Sequence, residues 1–148
     1  MIHIGFVGSS ESHWNKQTKI MALQKISELL TQCIIQYGKE NITFVSGGCK
    51  KGGIDFWSEI IADSLGIPTK IFPAEVEQWN DYNQEMDGGE GWARPEIHRR
   101  GYMSRNMDVA RTSDILFCID PKGRDGGGGQ WTANFARKIN KEVHNVVI

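Results

Sequence analysis

Cysteine is scarce in this 148-residue chain: Cys33, Cys49 and Cys118 are odd in number and far apart. They fit neither a disulfide framework nor a zinc pattern, and reduced thiols in a reducing compartment are the simplest reading. His3, His13, His98 and His144 include no pair at helical metal-ligand spacing, so no metal and no bound cofactor are expected. An excess of one charge is missing too. The formal net charge is -1, which leaves no global basic field to hold nucleic acid nonspecifically. No apolar run reaches the roughly 18 residues that cross a bilayer, and no membrane partner is expected. The first residues lack a basic n-region and a small-residue cleavage site, so they read as a strand and the expected location is cytoplasmic.

Two phosphate-binding patterns are also absent. Gly8-Ser9-Ser10-Glu11 lacks the later glycines of G-x-G-x-x-G. Gly48 to Gly53 has the glycine spacing of G-x-x-x-x-G-K-[ST], but Ile54 and Asp55 stand where Lys and Ser/Thr belong. A dinucleotide dehydrogenase and a P-loop NTPase are therefore disfavoured. There is no internal repeat and no low-complexity tail.

What is present is a strand–helix alternation along the whole chain. Strands are predicted at Ile2 to Val7, Ile42 to Val45, Thr69 to Phe72, Ile115 to Ile119 and Val143 to Ile148. Helices are predicted at Lys16 to Tyr37, Ile54 to Leu65, Arg99 to Thr112 and Gln130 to Asn140. In the first helix Ile20, Leu23, Ile26, Leu30 and Ile34 recur at three and four residues, and Gly38 is a natural stop. Apolar strands alternating with helices predict an α/β fold, a Rossmann-like three-layer sandwich. Its sheet should be mostly parallel, with five strands in the order 3-2-1-4-5 and helices on both faces. The length predicts one domain, 1–148, with a long loop insertion at about 74–98.

Glycine-rich turns recur where strands hand over to helices: Gly8-Ser9-Ser10, Ser46 to Gly53, and Gly126 to Gly129. A helix N-terminus behind such a turn offers unpaired N–H groups and a positive dipole end, which is where phosphate is held. The turns fall at the carboxyl ends of the strands, near the switch between strands one and four. Candidate ligand-binding residues are Gly8, Ser9, Ser10, Gly47, Gly48, Lys50, Arg105, Asn106, Gly127, Gly128, Gly129, Gln130 and Thr132. Each has a plainer reading beside it. Gly8 to Ser10 also makes a simple turn with a cap, Lys50 and Lys51 a solvated pair, and Arg105 an ion-pair partner for the acidic stretch 75–90. The four glycines at 126–129 have no evident packing purpose and suggest close approach of a ligand to the backbone. Cys49 lies near a helix start beside lysines but has no identifiable base. Asp55, in the first turn of the second helix, is read mainly as shaping its own loop.

The stretch 74–98 breaks the regularity. Glu75, Glu77, Asp81, Glu85, Asp87 and Glu90 come first, without Lys or Arg among them. Arg94, Arg99, Arg100, Arg105 and Arg111 follow, and Trp79, Tyr82 and Trp92 are interspersed. A loop this long is either a lid whose aromatics stack on a base or an excursion packed on the fold or on a second subunit.

These residues resemble the SLOG superfamily of Rossmann-like proteins, which includes the DNA-processing protein DprA, the LOG phosphoribohydrolases, molybdenum-cofactor carrier proteins and YspA-like proteins. Val7-Gly8-Ser9 resembles the V-G-S turn after strand one, and Ser46-Gly47 through Gly53-Ile54-Asp55 the S-G-x-A-x-G-I-D turn of DprA, here two residues longer. Gly66-Ile67-Pro68 with Ile71-Phe72-Pro73-Ala74, and Arg105-Asn106-Met107 with Ala110 and Asp114, resemble YspA-like segments. Gly128-Gly129-Gln130-Trp131-Thr132-Ala133 is similar to the G-S-L-x-T-A of DprA and the G-G-x-G-T of LOG.

The resemblance implies that the turns after strands one, two and four bind a nucleotide-like ligand, and that the chain forms a homodimer or higher homo-oligomer. Against the LOG pattern P-G-G-x-G-T-x-x-E, Asp125 replaces Pro, Gln130 replaces Thr and Ala133 replaces the catalytic Glu, while Arg105 matches the arginine before strand four. The leading expectation is binding or sensing of a small nucleotide or nucleotide-derived phosphorylated ligand. One alternative is an N-glycosidic hydrolase of nucleoside 5′-phosphates. It needs a carboxylate near the ribose, with Glu11, Asp120 and Asp125 as candidates. Another is DprA-like single-stranded DNA binding through Lys50, Lys51, the arginines and aromatic stacking.

Overall fold

The computed structural model describes residues 1–79 and 100–148. Most of the expected loop at about 74–98 therefore lies outside the described residues, with Asp81, Tyr82, Glu85, Asp87, Glu90, Trp92, Arg94 and Arg99. The described elements run β1 (Ile2–Gly8), α1 (Lys16–Tyr37), β2 (Ile42–Ser46), α2 (Ile54–Ser64), β3 (Thr69–Ile71), α3 (Tyr102–Thr112), β4 (Ile115–Asp120), α4 (Gly128–Lys138) and β5 (Glu142–Val147). The five strands form one sheet in the order β3-β2-β1-β4-β5. Every pairing in it is parallel, as in Ile4 opposite Phe44 and Ile115. Among the described residues no helix is long and apolar enough to cross a membrane.

The period-two alternation of strands sorts the core into two layers. Ile4, Phe6, Phe44, Ile115, Phe117 and Ile119 face α1 and α2, where Ala22, Ile26, Leu30, Ile54, Trp57 and Ala62 cover them. Val7, Val45, Leu116 and Cys118 face the other way, against Val109 and Ala110 of α3 and Ala133 and Ala136 of α4. Phe6 anchors the first layer. Its ring centroid lies 5.1 Å from that of Phe117 and 5.8 Å from that of Phe44, at tilted and edge geometries that aromatic pairs favour.

Element ends differ from expectation where the backbone decides them. α4 begins at Gly128 rather than Gln130, because the chain breaks at Gly127, which has φ +90°. It ends at Lys138, two residues before Asn140 at φ +64°. α3 begins at Tyr102, where Gly101 is extended. α1 opens with a reciprocal cap: Asn15 Oδ1 accepts the Thr18 N–H at 2.8 Å, and Thr18 Oγ1 accepts the Asn15 N–H at 3.0 Å.

Phe6→Ala is expected to remove about 3–5 kcal/mol of stability. Urea unfolding should show this as a lower midpoint at an unchanged slope. A midpoint equal to wild type would mean that the aromatic trio is not the anchor of this layer.

Candidate functional site

A cavity of about 270 Å³ opens at the carboxyl ends of the strands. Its lining comes from the turn after β1, the β2–α2 loop, the start of α3, and the β4–α4 loop with the first turn of α4. The first two turns are stitched together. The Ser9 carbonyl accepts the Ile54 N–H at 3.2 Å and the Trp14 indole N–H at 3.0 Å, and the Lys51 carbonyl accepts the Glu11 N–H at 3.3 Å. α4 is pressed against β1 at the same place. A Cβ on Gly129 would lie 2.8 Å from the Gly8 Cα, and one on Gly8 would lie 2.0 Å from the Ile119 carbonyl oxygen.

Three helices reach the cavity with no side-chain cap: α2 behind Gly53, α3 behind Gly101 and α4 behind Gly127. The Ile54 N–H of α2 is taken by Ser9. In α4 the N–H groups of Gly128, Gly129 and Gln130 have no partner among the described residues. α3 is closed instead. The N–H groups of Tyr102 and Met103 donate to the carbonyls of Gln78 and Trp79 at 2.8 and 2.9 Å. The positive end available to an anion is therefore chiefly that of α4.

Arg105 is only 8% exposed. One of its terminal nitrogens donates to the Gly47 carbonyl at 2.6 Å, and its guanidinium lies 5.2 Å from the centre of the Tyr102 ring. Its buried Nε has no hydrogen-bond partner, and neither has the buried Nε of Arg124. Among the described residues Arg105 pairs with no acid, and Asp81, Glu85, Asp87 and Glu90 of the acidic stretch offered as its plainer partner lie outside them.

Asp120 is buried and fully engaged. Ser9 Oγ donates to one of its carboxylate oxygens at 2.6 Å, and Gln130 Nε2 donates to the other at 2.6 Å. The Cys118 thiol also points at Asp120, at 3.4 Å. Burial first, and the Asp120 charge second, hold that thiol protonated. Asp55 lines the cavity on the α2 side. Burial pushes its carboxyl up to about 6. The Arg105 guanidinium pulls it down, Glu59 pushes it up, and the Cys49 N–H pulls it down.

Of the residues expected from sequence, Gly8, Ser9, Ser10, Arg105, Asn106, Gly127, Gly128, Gly129 and Thr132 line the cavity, as does Asp120. The others fall outside its lining, each for a visible reason. Gly47 lies behind Arg105. Gly48 packs on Ile71 and donates its N–H to Ser46 Oγ. Lys50 and Asp125 are exposed. Gln130 serves Asp120. Glu11 is exposed and pairs with Lys19 at 3.2 Å. The Thr132 hydroxyl is already used, donating to the Gly128 carbonyl at 2.7 Å. For Gly129 the absence of a side chain has a packing reason, its contact with Gly8, whereas nothing lies within 4 Å of a Cβ on Gly126.

Sequence reading did not assign Val7, His13, Tyr102 and Arg124 to the lining, and it read Asp55, also there, mainly as shaping its own loop. Tyr102 was within reach, since it precedes Arg105 and Asn106 by three and four positions on one helix. His13 and Arg124 lie in turns whose paths side-chain patterns do not specify. Among the described residues no group of three or more His, Cys, Asp and Glu is placed to hold a metal ion.

The upward shift of Asp55 has a signed consequence. Its acid form is favoured in the folded state, so the associated stability is full below pH 3.8 and is lost as pH rises through about 6. Asp55→Asn should match wild type near pH 4 and exceed it by roughly 2 kcal/mol at pH 7.5. Urea unfolding at the two pH values measures this, and a variant gaining nothing at pH 7.5 would contradict the burial of this charge.

No protein-family model matches the chain, and no curated protein matches it in sequence. Among solved structures, it is similar to the molybdenum cofactor carrier protein of Chlamydomonas reinhardtii. Identity is 16% over 97% of this chain and 75% of that one, with a TM-score of 0.55. It is also matched with DNA processing protein A, DprA, of Streptococcus pneumoniae, at 14% identity and a TM-score of 0.47, covering 98% of this chain and 59% of that one. The chain thus spans about three quarters of the carrier protein's length and three fifths of DprA's. With the sheet order found above, the likeness to the carrier protein establishes the Rossmann-like α/β fold that the resemblance to the SLOG superfamily implies.

Proposed function

We propose that this chain binds a small nucleotide or nucleotide-derived phosphorylated ligand, with the anion held in the cavity against the start of α4. The observation that carries this reading is that unpartnered N–H groups at Gly128 and Gly129 and the buried cationic side chain of Arg105 line the same cavity. Such backbone donors together with an Arg fork suit a phosphate. Lys51, exposed on the lining, adds positive charge at the mouth. A volume of about 270 Å³ suits a compact ligand. That the carrier protein is named for a bound cofactor fits a ligand-holding role for this fold.

An N-glycosidic hydrolase has narrower support. Of its three candidate acids only Asp120 lines the cavity, and both of its oxygens accept hydrogen bonds from neighbouring side chains. Asp55 is the other carboxylate on the lining, and its raised pKa would suit proton transfer. Base release from a bound nucleoside monophosphate, abolished in Asp55→Asn, would favour this second reading.

Thermal shift against nucleoside mono-, di- and triphosphates, cyclic nucleotides and inorganic phosphate tests the binding proposal. A ligand at about 100 times its Kd should stabilise the fold by about 2.7 kcal/mol. Arg105→Ala should abolish the shift. Lys51→Ala, on an exposed residue, should fold normally and weaken binding by up to about fivefold. A flat response to every phosphorylated compound, or full binding by both variants, would overturn it.

A further inference from the structure

Trp79 is an aromatic residue of the cavity lining and is 37% exposed. Its main chain is fixed by the hydrogen bond from the Met103 N–H to its carbonyl, beside the one from Tyr102 to Gln78. Those two donors belong to the first turn of α3, and Arg105 and Asn106 follow two and three residues after Met103. One helix start therefore places both an indole and a guanidinium on the cavity.

Among the described residues one ring meets the indole, and it does so at a right angle. Trp79 meets Trp131 at 86° with centroids 5.0 Å apart. Trp131 lies flat on Phe135 at 3° and 5.5 Å, and the Arg111 guanidinium sits 5.6 Å from the Phe135 centroid. A perpendicular neighbour covers at most one face of a ring, and among the described residues no other ring stacks on Trp79. At least one face of its indole has no ring against it. Tyr102, also on the lining, differs: Lys51 and Arg105 lie 5.7 and 5.2 Å from its centroid. Its ring is occupied by cations, whereas that of Trp79 is supported from the side by an aromatic column.

We propose that Trp79 is a stacking platform for the planar heterocycle of the ligand, so that the cavity takes a nucleoside phosphate by its base as well as by its phosphate. This rests on the binding reading above for the phosphate anchor and adds a second, separate anchor. A supported, pre-placed ring loses little freedom when a base lies on it. Stacking is tolerant of base identity. The platform would therefore distinguish a nucleotide from a sugar phosphate rather than one base from another.

Calorimetric titration of the full chain with three probes separates the two anchors: adenosine 5′-monophosphate, ribose 5-phosphate and adenosine. The expected result is that the monophosphate binds more tightly than ribose 5-phosphate. Trp79→Ala should weaken the monophosphate roughly 5- to 100-fold and leave ribose 5-phosphate unchanged, while Trp79→Phe keeps most of the affinity. Matching circular dichroism and melting curves confirm that the variants fold. Equal affinity for the monophosphate and ribose 5-phosphate, or equal weakening of both in Trp79→Ala, would overturn the platform and leave the anion site standing. Adenosine binding that Trp79→Ala abolishes, with no binding of ribose 5-phosphate, would support the platform and overturn the anion site. Failure of all three probes to bind would overturn both.

Discussion

At Gly8 and Gly129 two backbones meet with no room for a side chain on either. That contact sets how closely α4 approaches the end of β1, and the cavity inherits its shape. Ser9 and Gln130, each one residue beyond a glycine of this contact, are drawn to opposite oxygens of Asp120 at the end of β4. The turn after β1 and the first turn of α4 are thereby tied to one buried carboxylate at the end of β4. With the approach and the clamp in place, the first N–H groups of α4 face the space between the turns. A bulkier residue at Gly129 would push α4 off β1, one at Gly8 would run into the Ile119 carbonyl and Ile54, and either would disturb the common frame on which the polar groups depend.

The charges around the cavity are unequally satisfied. On the acidic side, Asp120 has a hydrogen-bond donor on each oxygen, and burial favours the neutral form of Asp55. On the basic side, Arg105 and Arg124 each keep a buried Nε without an acceptor, and the start of α4 has unpartnered N–H groups. Among the described residues, the buried side-chain atoms left without a partner at the cavity are donors. In a partly desolvated site such capacity is costly to leave unused, and this asymmetry, rather than the near-neutral charge of the whole chain, sets the kind of ligand the site suits.

Much of this was legible in the sequence. Apolar strands alternating with helices, and the three- and four-residue spacing in α1, predicted the layers, and the glycine turns marked the sheet edge on which the cavity opens. Arg105 and Asn106 could be picked out because they precede strand four, where the LOG pattern also has an arginine. What stayed hidden were pairings between side chains distant in the chain or within irregular turns. Gln130 reads as a ligand for phosphate until its amide is seen on Asp120. Lys50 and Lys51 are indistinguishable as text, and only the path of the β2–α2 loop puts Lys51 on the lining. Gly129 reads as backbone opened for a ligand, yet its neighbour is Gly8. The start of α4 was misjudged by two residues because glycines carry no periodic signal.

The hydrogen bonds around the start of α3 have a further consequence. Glu75 and Val76 donate to the Arg100 carbonyl, while Tyr102 and Met103 donate to Gln78 and Trp79. The chain departs from the framework and rejoins it through one laced neck beside the cavity mouth. The entropic cost of closing a loop grows only slowly with its length, so the sheet is indifferent to how many residues are spliced in beyond that neck.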